Sequence, residues 1–205
     1  MINLEENTEI STTLKELRND AETSVKDVQK ILNSAEYDLN ELKDIDDPKI
    51  LVLGTGPFLP EAQIISKWAE GNKKGVTVDC VDKEEIDANY INLIFGLKQS
   101  TQYFKMNMIN STFEDSKFGE YDLVLLLRYP DLSNINENVF KKIGDSLREN
   151  GSFIMSGGLN NRFGGEALAT SGLTLEKKAQ VSSHTDFYKV YVGENTVINL
   201  RKVKK

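Results

Sequence analysis

The residues best suited to chemistry lie in one short stretch, Gly54-Thr55-Gly56-Pro57-Phe58-Leu59-Pro60, directly after the apolar run Lys49–Leu53 (KILVL). Glycines behind a buried strand let the backbone approach a ligand closely and take positive φ at little cost. Pro60 suits the first position of a helix and Glu61 its first turn. The free amides of such a turn can hold an anionic group, for example a carboxylate. A further acid, Asp82, closes the next apolar run, Val76–Val81 (VTVDCV). A carboxylate at that place is well set to bind both hydroxyls of a ribose. It is farther from Gly56 than the roughly 20 residues usual for this arrangement, and the loop Gly71–Gly75 (GNKKG) accounts for the excess. Asp79 competes for the role from inside the same strand. No Gly-Lys-Ser/Thr follows the glycines, so the stretch is not a phosphate-binding P-loop. It is also a poor dinucleotide fingerprint, because Leu59 stands where G-x-G-x-x-G needs its last glycine.

Other side chains are weaker candidates. Arg128 follows a strongly apolar strand and offers a donor fork to a substrate or cofactor carboxylate; the alternative is a surface ion pair with Asp131 or Asp122. Tyr129 either packs on a substrate or covers the sheet edge. His184 is the single histidine and lies in a loop (SSHTD), where a solvated role competes with that of a base. Cys80, the single cysteine, reads as a small buried apolar residue, and Trp68 as core. One His, one Cys and scattered acids give no metal-ligand spacing, so no metal is expected.

These residues need a frame to position them. From residue 48 on, apolar runs at 49–53, 76–81, 103–109, 121–127 and 152–155 alternate with helical patterns at 61–70, 84–97 and 136–148, and a further helix is expected around 165–170. Such alternation implies a parallel sheet covered on both faces. The chain then changes to strands at 173–181, 187–192 and 196–203, with Gly193-Glu194-Asn195 as a tight turn between the last two. The expected fold is therefore α/β: a doubly wound, mostly parallel seven-stranded sheet with helices on both faces and a C-terminal antiparallel hairpin. Residues 1–47 form an N-terminal helical extension to the domain at 48–205. In it Leu14, Leu17, Ala21, Val25, Val28, Leu32, Ala35, Leu39 and Leu42 build one stripe, on one helix or on two with a break at Asn33-Ser34. The stripe docks on the domain, closes over the site as a lid, or dimerises.

The whole chain has 205 residues, 39% of them hydrophobic and 28% charged, with a net charge of −7. That balance shows no basic nucleic-acid footprint; the basic tail Leu200–Lys205 reads as a solvated end. With no apparent secretory signal, no apolar run of membrane-spanning length and no cysteine pair, a cytoplasmic protein is expected.

Four segments, ILVLGTGPFLPEA (50–62), VDCVDKE (78–84), FGEYDLVLLL (118–127) and LRENGSFIMSGG (147–158), resemble in order and spacing the motifs of the class I S-adenosylmethionine-dependent methyltransferases. The closing hairpin is also that family's ending. The resemblance implies S-adenosylmethionine as cofactor, held in the loop Gly54, Thr55, Gly56, Pro57 and Phe58. It implies Asp82 on the ribose, Lys83 beside the adenine, Asn110 and Ser111 at the adenine end, and Leu127, Arg128 and Tyr129 beside the transferred methyl. Asn160, Asn161, Arg162 and Phe163, in the Gly-rich run 157–165, would border the acceptor. Three positions depart from the pattern: Val52 replaces an acid, the third loop glycine is either replaced by Phe58 or deleted, and Asn110 replaces an Asp. The expected function is methyl transfer to a small-molecule acceptor, with a protein acceptor next, nucleic acid not expected and a homodimer through the N-terminal helices open. The alternative is a non-catalytic binding or scaffolding protein of the same fold, followed by an NAD-dependent oxidoreductase.

Overall fold

The computed structural model describes residues 4–129, 135–157, 172–181 and 195–202. Its elements are α1 (Leu4–Ser34), a short 3-10 helix (Leu39–Leu42), β1 (Lys49–Leu53), α2 (Pro60–Asn72), β2 (Val76–Asp82), α3 (Ala88–Phe95), β3 (Phe104–Asn110), β4 (Tyr121–Tyr129), α4 (Glu137–Ser146), β5 (Leu147–Gly157), β6 (Thr174–Val181) and β7 (Asn195–Arg201). The strands form one seven-stranded sheet in the order β3-β2-β1-β4-β5-β7-β6. β1 to β5 run parallel, and β7 pairs antiparallel with both β5 and β6.

Side-chain alternation along the strands sends residues to two cores, as the two-residue period requires. Ile50 and Val52 of β1 join Val78 and Cys80 of β2 and Leu123, Leu125 and Leu127 of β4 in a core closed by α1, α2 and α3. Leu51 and Leu53 face the other way, with Val124 and Leu126 of β4, Phe153 and Met155 of β5, and Val139, Phe140 and Ile143 of α4. The central strands are therefore apolar on both faces, which is why their runs lack polar alternation. Val52 is 1% exposed.

α1 is a single helix through Ser34, without the break considered at Asn33-Ser34. Asn33 caps nothing; it accepts from Gln29 Nε2, and the cap belongs to Asp38, which accepts from Asn40 N ahead of the 3-10 helix. From Ala21 onward the apolar stripe docks on the domain, with Val28, Ile31, Leu32 and Ala35 buried in the same core as Ile64, Ile65 and Ala69 of α2. Asn199 of β7 donates to the Ala35 carbonyl at 3.1 Å and fixes the helix end to the sheet.

The α3, α4 and β5 boundaries and the pairing of β7 differ from expectation. α3 begins at Ala88 rather than 84, because Asp82 accepts from Glu84 N and Asp87 accepts from Asn89 N, so the acidic stretch 83–87 stays a loop. α4 ends at Ser146, and β5 already begins at Leu147, passing through Asn150 at φ 65°. The antiparallel partner of β7 is β6, 174–181; the strand at 187–192, the turn at 193–194 and the helix around 165–170 lie outside the described residues. No helix among the described residues is long and apolar enough to cross a membrane.

Candidate functional site

The strand order reverses at β1, whose neighbours are β2 on one side and β4 on the other. A crevice opens outside the carboxyl ends of the strands at such a point. Here it is a cleft of about 930 Å³. Gly54, Gly56 and Pro57 wall it from the β1–α2 loop, Asp82 and Lys83 from the end of β2, Ser111 from the end of β3, and Leu127, Arg128 and Tyr129 from the end of β4.

The glycine turn is built as its sequence demands. Gly54 and Gly56 have φ of 66° and 60°, and Gly54 N donates to the Val81 carbonyl at 2.9 Å. The ring of Phe113 reaches within 3.5 Å of where a Gly54 Cβ would stand, with Tyr129 at 4.0 Å. Leu59 then takes left-handed φ and ψ of 46° and 48° ahead of Pro60, and no side chain caps the helix.

Asp82 ties the two loops together. Its Oδ2 accepts from Gly56 N at 3.1 Å, and its Oδ1 accepts from Glu84 N at 3.0 Å. Each carboxylate oxygen has a second lone pair, so both remain able to accept from a vicinal diol. Asp79, the competitor, is engaged elsewhere: it accepts from Tyr121 Oη at 2.8 Å and from Asn107 Nδ2 at 2.6 Å. Burial, then the hydrogen bond to the Asp79 carboxylate, pushes the Tyr121 phenol up to about 12.

Arg128 does not pair with Asp122, one of the two acids considered for it. Asp122 is taken by Arg148 Nη1 at 3.0 Å and by Lys49 N at 2.8 Å, and Asp131 lies outside the described residues. Arg128 meets Glu61 of α2 instead, Nη2 to Oε1 at 3.5 Å. Arg128 has φ of 58°, and its backbone N–H donates to Ser156 Oγ at 2.8 Å. Burial raises the Glu61 carboxyl above the usual carboxylate range, opposed by the Arg128 charge and by the residue's own backbone N–H. Burial also raises the Cys80 thiol, with the nearby acids Glu61, Asp79 and Asp82 adding to it. That thiol is buried and apolar in behaviour.

Not every expected residue faces the cleft. Thr55 is 1% exposed and Phe58 7%, both directed into the protein. Asn110 turns its amide to the Lys83 carbonyl at 3.3 Å. Asn160, Asn161, Arg162, Phe163 and His184 lie outside the described residues. Tyr90 and Phe113 escaped the sequence reading, and Glu61 was read only as a first-turn acid; an acid at a helix start and isolated aromatics look like ordinary capping and core residues until the strands are placed. Among the described residues no group of three His, Cys, Asp or Glu side chains could hold a metal ion.

No protein-family profile matches the sequence, and neither does any curated protein. Solved structures do match in shape. A methyltransferase dependent on S-adenosylmethionine from Methanosarcina mazei superimposes with a TM-score of 0.54 at 12% identity, over 82% of this chain and 99% of that one. The geranyl diphosphate C-methyltransferase of Streptomyces coelicolor, in a complex with S-adenosyl-L-homocysteine, gives 0.55 at 11% identity, over 77% and 73%. The fold is that of the class I S-adenosylmethionine-dependent methyltransferases. The cyclase SpnF shares it, with a TM-score of 0.58 at 12% identity over 88% of this chain and 81% of that one. At the cleft of this fold the chain gathers the glycine turn, the Asp82 carboxylate and an arginine at the end of β4.

Proposed function

We propose that the protein is an S-adenosylmethionine-dependent methyltransferase acting on a small-molecule acceptor. The observation that carries this reading is Asp82, whose carboxylate bridges Gly56 N and Glu84 N at the mouth of the cleft beside the glycine turn. The cofactor, when bound, supplies a methyl on a sulfonium, an electrophile that needs little acid–base help. The protein's task is then alignment and exclusion of water. Asp82 accepts from the ribose hydroxyls, Lys83 and Ser111 flank the adenine, and Arg128 holds a carboxylate. Leu127 and Tyr129 border the reacting methyl. Phe113 and Tyr129, with ring centroids 6.0 Å apart, wall that end with apolar surface. Asn160 and Arg162 are the proposed acceptor contacts.

The rim favours an unphosphorylated ligand. Glu84, Glu85, Asp87 and Glu114 line the same cleft, and their charge opposes the phosphates of a nucleic acid or of NADP. The geranyl diphosphate C-methyltransferase among the structural relatives is consistent with a small-molecule acceptor. A protein acceptor is the next choice, and the cytoplasm is the proposed location.

A second reading, a non-catalytic protein of the same fold, draws on Val52 and Phe58, both buried where the family pattern has an acid and a glycine. Thermal unfolding separates the main reading from the oxidoreductase. A ligand at about 100 times its Kd adds about 2.7 kcal/mol, which raises Tm by about 5–10 °C for a chain of this size. S-adenosylmethionine is expected to produce that rise and NADH none. The reverse result favours the oxidoreductase. Labelled methyl transfer to any acceptor removes the non-catalytic reading.

A further inference from the structure

Part of the glycine turn is covered by a side chain of the protein itself. The ring of Phe113, on the loop after β3, reaches over Gly54 with its Cζ 3.5 Å from the place a Cβ would take. Gly54, Phe113 and Tyr129 all line the cleft, and the two rings stand 6.0 Å apart at a 46° tilt. A glycine in such a turn serves the close approach of backbone to a ligand. Here the phenyl ring makes that approach. The loop beneath the ring is held at its backbone. Lys142 Nζ of α4 donates to the Phe113 carbonyl at 3.1 Å and to the Glu114 carbonyl at 2.9 Å. Thr112 Oγ1 donates to Asp115 Oδ2 at 2.7 Å, and Ser116 N donates to the Thr112 carbonyl at 3.1 Å. A closed turn and a lysine clamp leave rotation of the side chain as the movement open to Phe113.

Phe113 is partly buried at the margin of the core that faces α4. Packing there explains an apolar residue at 113, but not a ring laid over a cleft glycine beside a cleft tyrosine. A ring against Gly54 and a ligand against Gly54 exclude each other. We propose that Phe113 is a side-chain gate: its ring covers the glycine turn, and a ligand reaches the turn only when the ring rotates aside to join Tyr129 as wall. The inference rests on the proposed function and names how access to that site is controlled. Only the fraction of molecules with the ring rotated accepts ligand, so that fraction scales the apparent association rate. A residue that merely walls a site acts on dissociation instead, because association rates vary little among variants of one site unless a conformational change limits binding.

Surface plasmon resonance of S-adenosylhomocysteine on the immobilised full chain separates gate from wall. Phe113→Ala is expected to raise the association rate about 5-fold or more, as loss of an aromatic contact that holds the ring in place implies. Phe113→Leu, smaller and without the ring, is expected to raise it about 2-fold. If Phe113→Ala does not fold, Phe113→Leu carries the test. An association rate unchanged or lower in the folded variant, with the loss falling on dissociation, overturns the inference and leaves the functional proposal standing. A wild type that binds no S-adenosylhomocysteine overturns both.

Discussion

Asp82→Ala is expected to weaken S-adenosylhomocysteine binding by about 100-fold or more. The Asp82 carboxylate serves two sides at once. It accepts from Gly56 N and Glu84 N, holding the glycine turn and the 83–87 loop at a fixed separation, and in the proposed function its remaining lone pairs accept from the ribose diol. Hydrogen bonds to a charged group contribute about 1.5–3 kcal/mol each, so losing the two ribose bonds alone corresponds to roughly 100-fold or more in Kd. Asp82→Asn should lie between, since its amide keeps one acceptor but points a donor at one of the two backbone N–H groups. Asp79→Asn is the control. Its partners are Tyr121 and Asn107, so it should cost stability and leave Kd within about 3-fold. Titration calorimetry on folded variants reads all three. A strong binding defect in Asp79→Asn with none in Asp82→Ala would reverse the assignment.

Phe153→Ala is expected to destabilise the fold by about 3–5 kcal/mol, the cost of truncating a fully buried aromatic side chain. Phe153 is 0% exposed and lies on β5 between β4 and β7, with the ring of Phe140 from α4 at 6.3 Å. Removing it opens a cavity between the sheet and the helix that covers this face. Against a typical total of about 5–15 kcal/mol, that is a large share. Urea unfolding should show the midpoint falling sharply, and the folded fraction should keep its Kd because the cleft draws nothing from this side chain. A loss under about 1 kcal/mol would mean that α4 is not packed on the sheet there.

How much of this was legible in the sequence depended on how local the signal was. β1 and β4 begin where their apolar runs begin, because strands buried on both faces must be largely apolar. The glycine turn was legible for a similar reason: Gly54 and Gly56 adopt the positive φ that only glycine takes freely. The start of α3 was not. Residues 83–87 are good helix formers, and what holds them out of the helix is the Asp82 side chain accepting from Glu84 N. Choosing between Asp79 and Asp82 needed Tyr121 and Asn107, which arrive from β4 and β3. Glu61 reads as an unremarkable first-turn acid until β4 brings Arg128 against it. The short run at 152–155 understated β5, which is continuous with the end of α4. The antiparallel ending was legible as a type of structure, but the partner of β7 was not, since β6 lies outside the turn signal at 193–195. Thr55, Phe58 and Asn110 show the limit of a motif: it gives positions along the chain, while burial and hydrogen bonding decide which side chains reach the cleft.

In the proposed function the cleft beside Gly54, Gly56 and Asp82 binds an adenosyl cofactor. Titration of S-adenosylhomocysteine into the full chain tests it most directly. One site per chain with a micromolar Kd is expected; no heat of binding for either S-adenosylhomocysteine or S-adenosylmethionine across temperatures, at protein concentrations well above that range, would overturn the proposed function.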